Sequence, residues 1–125
     1  MNHQQRRHEA DTVYEKLRDK GRSESTATWG RELKIYAMRL RSKIEVHMHR
    51  TSDFVDVNEF MAARLRDDPY NKTSRIMREY WNVVATLFGL LPGDEMLPPE
   101  DIKTYRLFKD VFGLANTAGS TTCAQ

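Results

Sequence analysis

The histidines offer the most versatile chemistry in this sequence, because a neutral imidazole can bind a metal ion or transfer a proton. The chain has four of them. His47 and His49 lie two residues apart, which on a helix separates their side chains by about 200°. Helical metal sites use histidines three or four residues apart, on one side of the helix. The sequence therefore predicts no metal site.

Acidic and hydroxyl side chains are numerous, but their spacing is not that of a catalytic site. Acid–base catalysis requires paired carboxylates in a dry cleft, and no such pair occurs at helical spacing on an apolar face. The acids at 94–95 and 100–101 flank a proline-rich loop, where helix capping and solubility explain them. The sequence also lacks a Gly-x-Ser-x-Gly turn and a glycine-rich phosphate loop. We therefore expect a protein that is not an enzyme and binds no cofactor.

The clearest candidate for a binding surface is a strip on the second and longest helical segment. At 100° per residue, three cations fall within about 40° of one another, beside the apolar face of the helix. These cations are Arg39, Lys43 and Arg50, and the β-branched Ile35 and Val46 lie next to them. Such a strip is either a docking surface or the rim of a wider core contact. As a docking surface, it suits an acidic partner protein.

Nucleic acid is the alternative partner, since clustered cations also bind backbone phosphates in a salt-sensitive manner. The residues that would do so lie on helices two and four: Arg39, Lys43, Arg50, Arg75 and Arg78. Helices three and four are joined by a short connection, as in a helix-turn-helix unit. That connection, residues 67–70, is acidic and too long for the motif. The pattern therefore favours protein recognition over DNA binding.

Five segments with helical periodicity, separated by proline, glycine and polar runs, must position these residues. We place the helices at about 8–20, 28–50, 57–68, 72–88 and 99–112. Gly21 and Gly113 suit helix stops, whereas Asp56 suits the N-cap of the third helix and Asn71 or Thr73 that of the fourth. No segment alternates apolar and polar residues as a strand would. The sequence predicts an all-α fold, a compact bundle of four to five helices.

The chain length of 125 residues suits one domain, which we place at residues 1–113. Residues 114–125 have no periodicity, which predicts a flexible, disordered C-terminal tail. The fourth helix is apolar on nearly all sides after Trp81, which predicts a central buried helix. The expected core consists of Trp29, Leu33, Tyr36, Leu40, Phe60, Tyr80, Trp81, Val84, Phe88, Tyr105 and Phe108.

Composition and charge exclude several classes of protein. Hydrophobic residues make up 39% of the chain and charged residues 30%, which is typical of a globular domain. The longest apolar run, residues 83–91, is about half the length of a membrane crossing, and the one cysteine excludes an internal disulfide. Residues 1–50 carry 12 Lys/Arg and 7 Asp/Glu, whereas residues 51–125 carry 8 and 11. This mild polarity can steer a partner.

We expect a small non-enzymatic regulatory or inhibitory protein that acts by protein–protein recognition. Compact single domains without catalytic motifs are common among bacterial accessory and phage-encoded regulators, so we expect a protein that a phage or mobile element encodes. No secretory signal opens the chain, so we expect a cytoplasmic protein that does not associate with a membrane. The expected partner is another protein with an acidic surface. The oligomeric state stays open, and the two β-branched residues of the strip favour a homodimer over a monomer.

Overall fold

The computed structural model describes residues 2–91 and 99–113, which form five α-helices and no strand. The helices are α1 (His3–Asp19), α2 (Glu24–Thr51), α3 (Val57–Asp67), α4 (Lys72–Leu90) and α5 (Pro99–Phe112). The predicted all-α bundle is therefore confirmed. None of the described helices is both long enough and apolar enough to cross a membrane. The predicted tail at 114–125 lies outside the described residues.

The helices α1 and α2 begin at side chains that cap their free N–H groups. Asn2 Oδ1 accepts a hydrogen bond from the backbone N–H of Gln5, and Gln5 Oε1 accepts one from the N–H of Asn2. Ser23 Oγ accepts from the N–H of Thr26. The predicted starts near residues 8 and 28 are wrong, because these caps lie further upstream and add about one turn to each helix.

The other helix boundaries lie within two residues of the predicted ones, and the largest difference is that α4 ends at Leu90 and not near residue 88. Asp56 Oδ1 accepts from two backbone N–H groups at the start of α3, and Asn71 Oδ1 accepts from the N–H of Ser74 at the start of α4. Gly21 and Gly113 follow α1 and α5 with φ angles of +83° and +61°. Side chains rarely adopt this left-handed conformation, so glycine suits both positions.

α2 is the longest helix, with 28 residues, and both α1 and α4 pack against it. The contact with α1 is close because Ala27 and Gly30 of α2 are buried there. A Cβ atom added to Gly30 would overlap Leu17 Cδ1 and touch Val13. Small residues at this crossing therefore set the distance between the two helices.

The larger core cluster lies between α2, α3, α4 and α5. Trp81, Phe60 and Phe108 are fully buried in it, and the rings of Trp81 and Phe108 lie 6.1 Å apart. Burying a side chain of this size contributes about 1.5–3 kcal/mol. α4 runs through the centre of this core, as predicted. The predicted core residues that are buried are Leu40, Phe60, Tyr80, Trp81, Val84, Tyr105 and Phe108, and Leu33 and Phe88 are partly buried.

The core prediction is wrong for two aromatic residues of α2. Trp29 and Tyr36 are 48% and 40% exposed. Both lie at one edge of the apolar face that the periodicity defines. α1 covers the side of α2 that carries Gly30. The buried face of α2 is therefore centred on Ile44 and Met48, and the edge with the two aromatic residues stays exposed.

Candidate protein-binding surface

The five predicted binding residues all lie on α2, on the side that faces away from the core. Arg39, Lys43 and Arg50 are exposed, Val46 is 56% exposed, and Ile35 is partly buried. The helix brings these side chains together because steps of three, four and seven residues return to one side of a helix. At 1.5 Å per residue, the strip from Ile35 to Arg50 is roughly 22 Å long.

The cations of this strip carry charge that the described part of the chain does not compensate. Arg39, Lys43 and Arg50 form no ion pair with any described carboxylate. By contrast, Arg31 and Lys34 of the same helix each lie 3.8 Å from a carboxylate oxygen of α1. The strip can therefore attract an acidic surface that approaches from solution.

Exposed apolar side chains continue this surface toward α4. The hydroxyl of Tyr36 donates a hydrogen bond to Glu79 Oε2 at 2.5 Å, and this bond raises the pKa of Tyr36. Ile76 lies one turn before Glu79 and is 38% exposed. Helical periodicity assigns Tyr36 and Ile76 to apolar faces, but it does not distinguish the exposed edge of such a face from its buried centre.

His47 takes part in the contact between α2 and the helices beside it. Its Nε2 lies 3.1 Å from Thr73 Oγ1, and its ring centroid lies 6.1 Å from that of Phe60. His49 is exposed on another side of α2. Within residues 2–91 and 99–113, no group of three or more His, Cys, Asp or Glu side chains is placed to hold a metal ion.

A second group of polar residues, which we call the buried cluster, joins α2 to α3, α4 and α5. It consists of Arg41, Asn58, Tyr80 and Asp101. Arg41 Nη1 donates to Tyr80 Oη at 2.9 Å, and Arg41 Nη2 lies 3.7 Å from Asp101 Oδ1. Asn58 Nδ2 donates to the same oxygen of Asp101 at 2.7 Å. These partners replace the water that Asp101, only 7% exposed, has lost.

Sequence reasoning missed the buried cluster, because it assigned Asp101 to helix capping. A signal was present, since Asp101 lies four residues before Tyr105 and seven before Phe108, on the buried side of α5. A carboxylate on an apolar face requires buried partners. The spacing does not identify those partners, because Arg41 and Asn58 are far away along the chain.

Burial also shifts the pKa values of residues in and around the buried cluster. It raises the pKa of Tyr80, while the neighbouring Arg41 opposes this change. Burial lowers the pKa of Lys34, and Glu9 opposes that change. Because Arg41 and Asp101 have opposite charges and lie together, the buried cluster holds helices of the bundle together.

The cations named for nucleic-acid binding are distributed over two helices. Arg39, Lys43 and Arg50 share the outward side of α2, and Arg75 is exposed on α4. The guanidinium of Arg78 lies 5.4 Å from the centroid of the Phe112 ring, so this side chain faces α5. The structure thus brings three of the five cations together.

Comparisons with protein-family models, with curated proteins and with solved structures found no match to this chain.

Proposed function

We propose that this chain is a small non-enzymatic regulatory or inhibitory protein that binds an acidic partner protein through the outward side of α2. The observation that carries the proposal is the row of cations Arg39, Lys43 and Arg50, which pair with no described carboxylate and lie beside the exposed Val46. Exposed cations contribute little to the stability of their own chain. Beside apolar side chains on a packed helix, they have the composition of a protein interface, where Arg and apolar anchors dominate the binding energy.

The partner would place carboxylates against the cations and apolar side chains against Ile35 and Val46. Opposite charge accelerates association and selects the partner, while the apolar contacts slow dissociation. α2 is held by α1 and α4, so binding at its outward side requires little ordering of this chain. Regulation would follow from covering a surface that the partner needs for another contact. We place this interaction in the cytoplasm as part of the proposal.

The test is affinity capture from nuclease-treated lysate, with the immobilised chain in three forms. These are the wild type, the strip variant Arg39→Glu with Lys43→Glu, and the control variant Lys103→Glu with Arg106→Glu. The control changes the same charge at two exposed positions of α5. We expect a protein that the wild type and the control retain and the strip variant loses. With that protein purified, the strip variant should bind at least tenfold more weakly, since each reversed charge also repels the partner.

Circular dichroism of the three forms checks that the substitutions leave the helices intact. A partner that the folded strip variant still retains would contradict the proposal. Nucleic acid is the alternative ligand. It would be indicated by material that the wild type captures from untreated lysate and loses after nuclease treatment, and by an affinity that falls steeply between about 50 and 200 mM salt.

A further inference from the structure

The outward side of α2 continues beyond the strip along nearly the whole helix. Eight residues follow one another in alternating steps of four and three: Ser25, Trp29, Glu32, Tyr36, Arg39, Lys43, Val46 and Arg50. All eight are exposed. This spacing averages 3.5 residues, the repeat that lets two helices keep one line of side chains in contact over several turns. We call this line of residues the α2 seam.

Chemical character changes from one half of the α2 seam to the other. The first half contains two aromatic rings and a carboxylate, in Trp29, Glu32 and Tyr36. The second half contains three cations and one aliphatic side chain, in Arg39, Lys43, Val46 and Arg50. The two halves are complementary, so the seam can pair with its own reversed copy.

We propose that a second copy of this chain packs against the α2 seam in antiparallel orientation, about a two-fold axis between Tyr36 and Arg39. The pairs across the interface are then Ser25 with Arg50, Trp29 with Val46, Glu32 with Lys43, and Tyr36 with Arg39. Each pair occurs twice because the interface is symmetric.

The contacts at the centre of this arrangement have a basis in the geometry of each copy. The Tyr36 hydroxyl is held by Glu79, which keeps the ring in place on the surface. A guanidinium from Arg39 of the second copy can stack on that ring and lie near the Glu79 carboxylate, as in a cation–π contact. Trp29 is 48% exposed, so its ring is free to pack against Val46 of the second copy.

Other arrangements of two α2 helices are less favourable. A parallel pair would place Arg39, Lys43 and Arg50 each opposite itself, and like charges at an interface are destabilising. An antiparallel shift by one heptad in one direction would place Arg39 opposite Lys43. The opposite shift would leave Val46 and Arg50 outside the overlap. The register around Tyr36 and Arg39 is therefore the one in which charge and apolar character both match.

Such a dimer would cover Arg39, Lys43 and Val46, so a second copy and an acidic partner would compete for one surface. The dimer does not depend on the proposed function. Glu32→Lys separates the two, because it reverses a contact of the dimer and leaves the five strip residues intact. A monomeric Glu32→Lys variant that still binds the acidic partner would support both ideas.

The test is sedimentation equilibrium of the purified full chain at low salt. The forms compared are the wild type, Lys43→Glu, Glu32→Lys, the double variant with both changes, and the control Lys103→Glu on α5. An interface of one helix pair is small, so we expect a wild-type dissociation constant on the order of 10 µM. Each single variant should dissociate at least tenfold more readily, because the Glu32–Lys43 pair then has like charges. The control should match the wild type.

Restoration of the pair identifies the register. The double variant again places opposite charges across the axis, so we expect its dimer to recover. An equimolar mixture of the two single variants should also form a heterodimer. The Glu32→Lys variant carries cations at positions 32 and 43, whereas the Lys43→Glu variant carries acids at both. A wild type that stays monomeric would overturn the proposal. A dimer that the single changes leave intact would also overturn it. The same holds if all variants keep the circular dichroism of the wild type but neither the double variant nor the mixture forms the dimer again.

Discussion

α2 carries cations on two sides, and their surroundings give them different roles. Arg41 points into the bundle, where it donates to Tyr80 and lies 3.7 Å from Asp101. Arg39, two residues earlier, is exposed and pairs with no described carboxylate. The same residue type therefore joins α2 to α4 and α5 at one position and faces solvent at the other.

This difference shows how one helix can separate stability from recognition. Moving a charge out of water costs several kcal/mol unless partners compensate it, so Arg41 is tied to side chains of α4 and α5. The exposed cations keep their hydration, and their own fold gains little from them. Their field still extends about 8–10 Å into solution at ordinary salt, which is far enough to attract a partner.

The largest effect on stability is expected from a substitution in the buried cluster. Asp101→Ala would remove the carboxylate that forms an ion pair with Arg41 and accepts a hydrogen bond from Asn58 Nδ2. We expect a loss of about 2–3 kcal/mol in the free energy of unfolding, because a partly buried charge is left uncompensated. Urea unfolding followed by circular dichroism measures this loss.

Glu100→Ala is the matched control for Asp101→Ala, since both acids lie in the first turn of α5 and Glu100 is exposed. It removes the interaction of an acid with the helix dipole and should cost no more than about 1 kcal/mol. Equal losses for the two variants would show that Asp101 acts only through the helix dipole and would contradict a stabilising role for the buried cluster.

Alkaline pH tests the same buried cluster through Tyr80. Burial raises the pKa of Tyr80 above its ordinary value of 10.0, so the unfolded chain loses this proton first. The contribution of Tyr80 to the free energy of unfolding is complete below pH 10 and is lost as the pH rises through the pKa of Tyr80 in the folded state. The free energy of unfolding should therefore fall above pH 10, with up to about 1.4 kcal/mol per pH unit from this residue.

Tyr80→Phe should reduce that slope relative to the wild type, in urea unfolding at a series of alkaline pH values. The comparison also cancels the effect of Lys34, whose lowered pKa makes stability rise with pH below 10.5. Tyr70→Phe, at an 81% exposed residue, is the control for losing one tyrosine hydroxyl. An unchanged slope in Tyr80→Phe would show that Tyr80 ionises equally in both states.

Local signals in the sequence predict most of the fold. α5 could be placed correctly because proline suits a first helical turn and Gly113 can adopt a left-handed conformation. α1 and α2 start earlier than predicted, because several polar residues upstream could each serve as the cap. The geometry selects Asn2 and Ser23 among them.

The two charged sites differ in how far the sequence reveals them. The strip lies on one helix, so its spacing predicts which side chains share a surface, and the structure places Arg39 and Lys43 together on it. The buried cluster depends on contacts between distant residues, such as Asn58 with Asp101, which no helical period connects. Trp29 was misplaced for a related reason, because the approach of α1 decides which side of α2 is covered.

The smallest change in the free energy of unfolding is expected for substitutions on the exposed side of α2. The sign of this change distinguishes the two interpretations of the strip. Arg39 and Lys43 lie four residues apart on α2, where like charges destabilise a helix by a few tenths of a kcal/mol. Lys43→Glu turns this repulsion into attraction, so we expect the monomer to become more stable by about 0.3–0.5 kcal/mol. Lys43→Gln, which only removes the repulsion, should give about half of that gain. Urea unfolding in dilute protein keeps association from contributing.

A gain in stability together with weaker binding would mean that Lys43 is retained at a cost to the fold, as expected for a residue that serves recognition. The opposite sign would point to the other interpretation of the strip. If Lys43→Glu lowered the free energy of unfolding by more than about 1 kcal/mol, which exposed substitutions rarely do, Lys43 would belong to the rim of the core contact. Its charge would then act within the chain, as that of Arg41 does, and the contrast between the two sides of α2 would disappear.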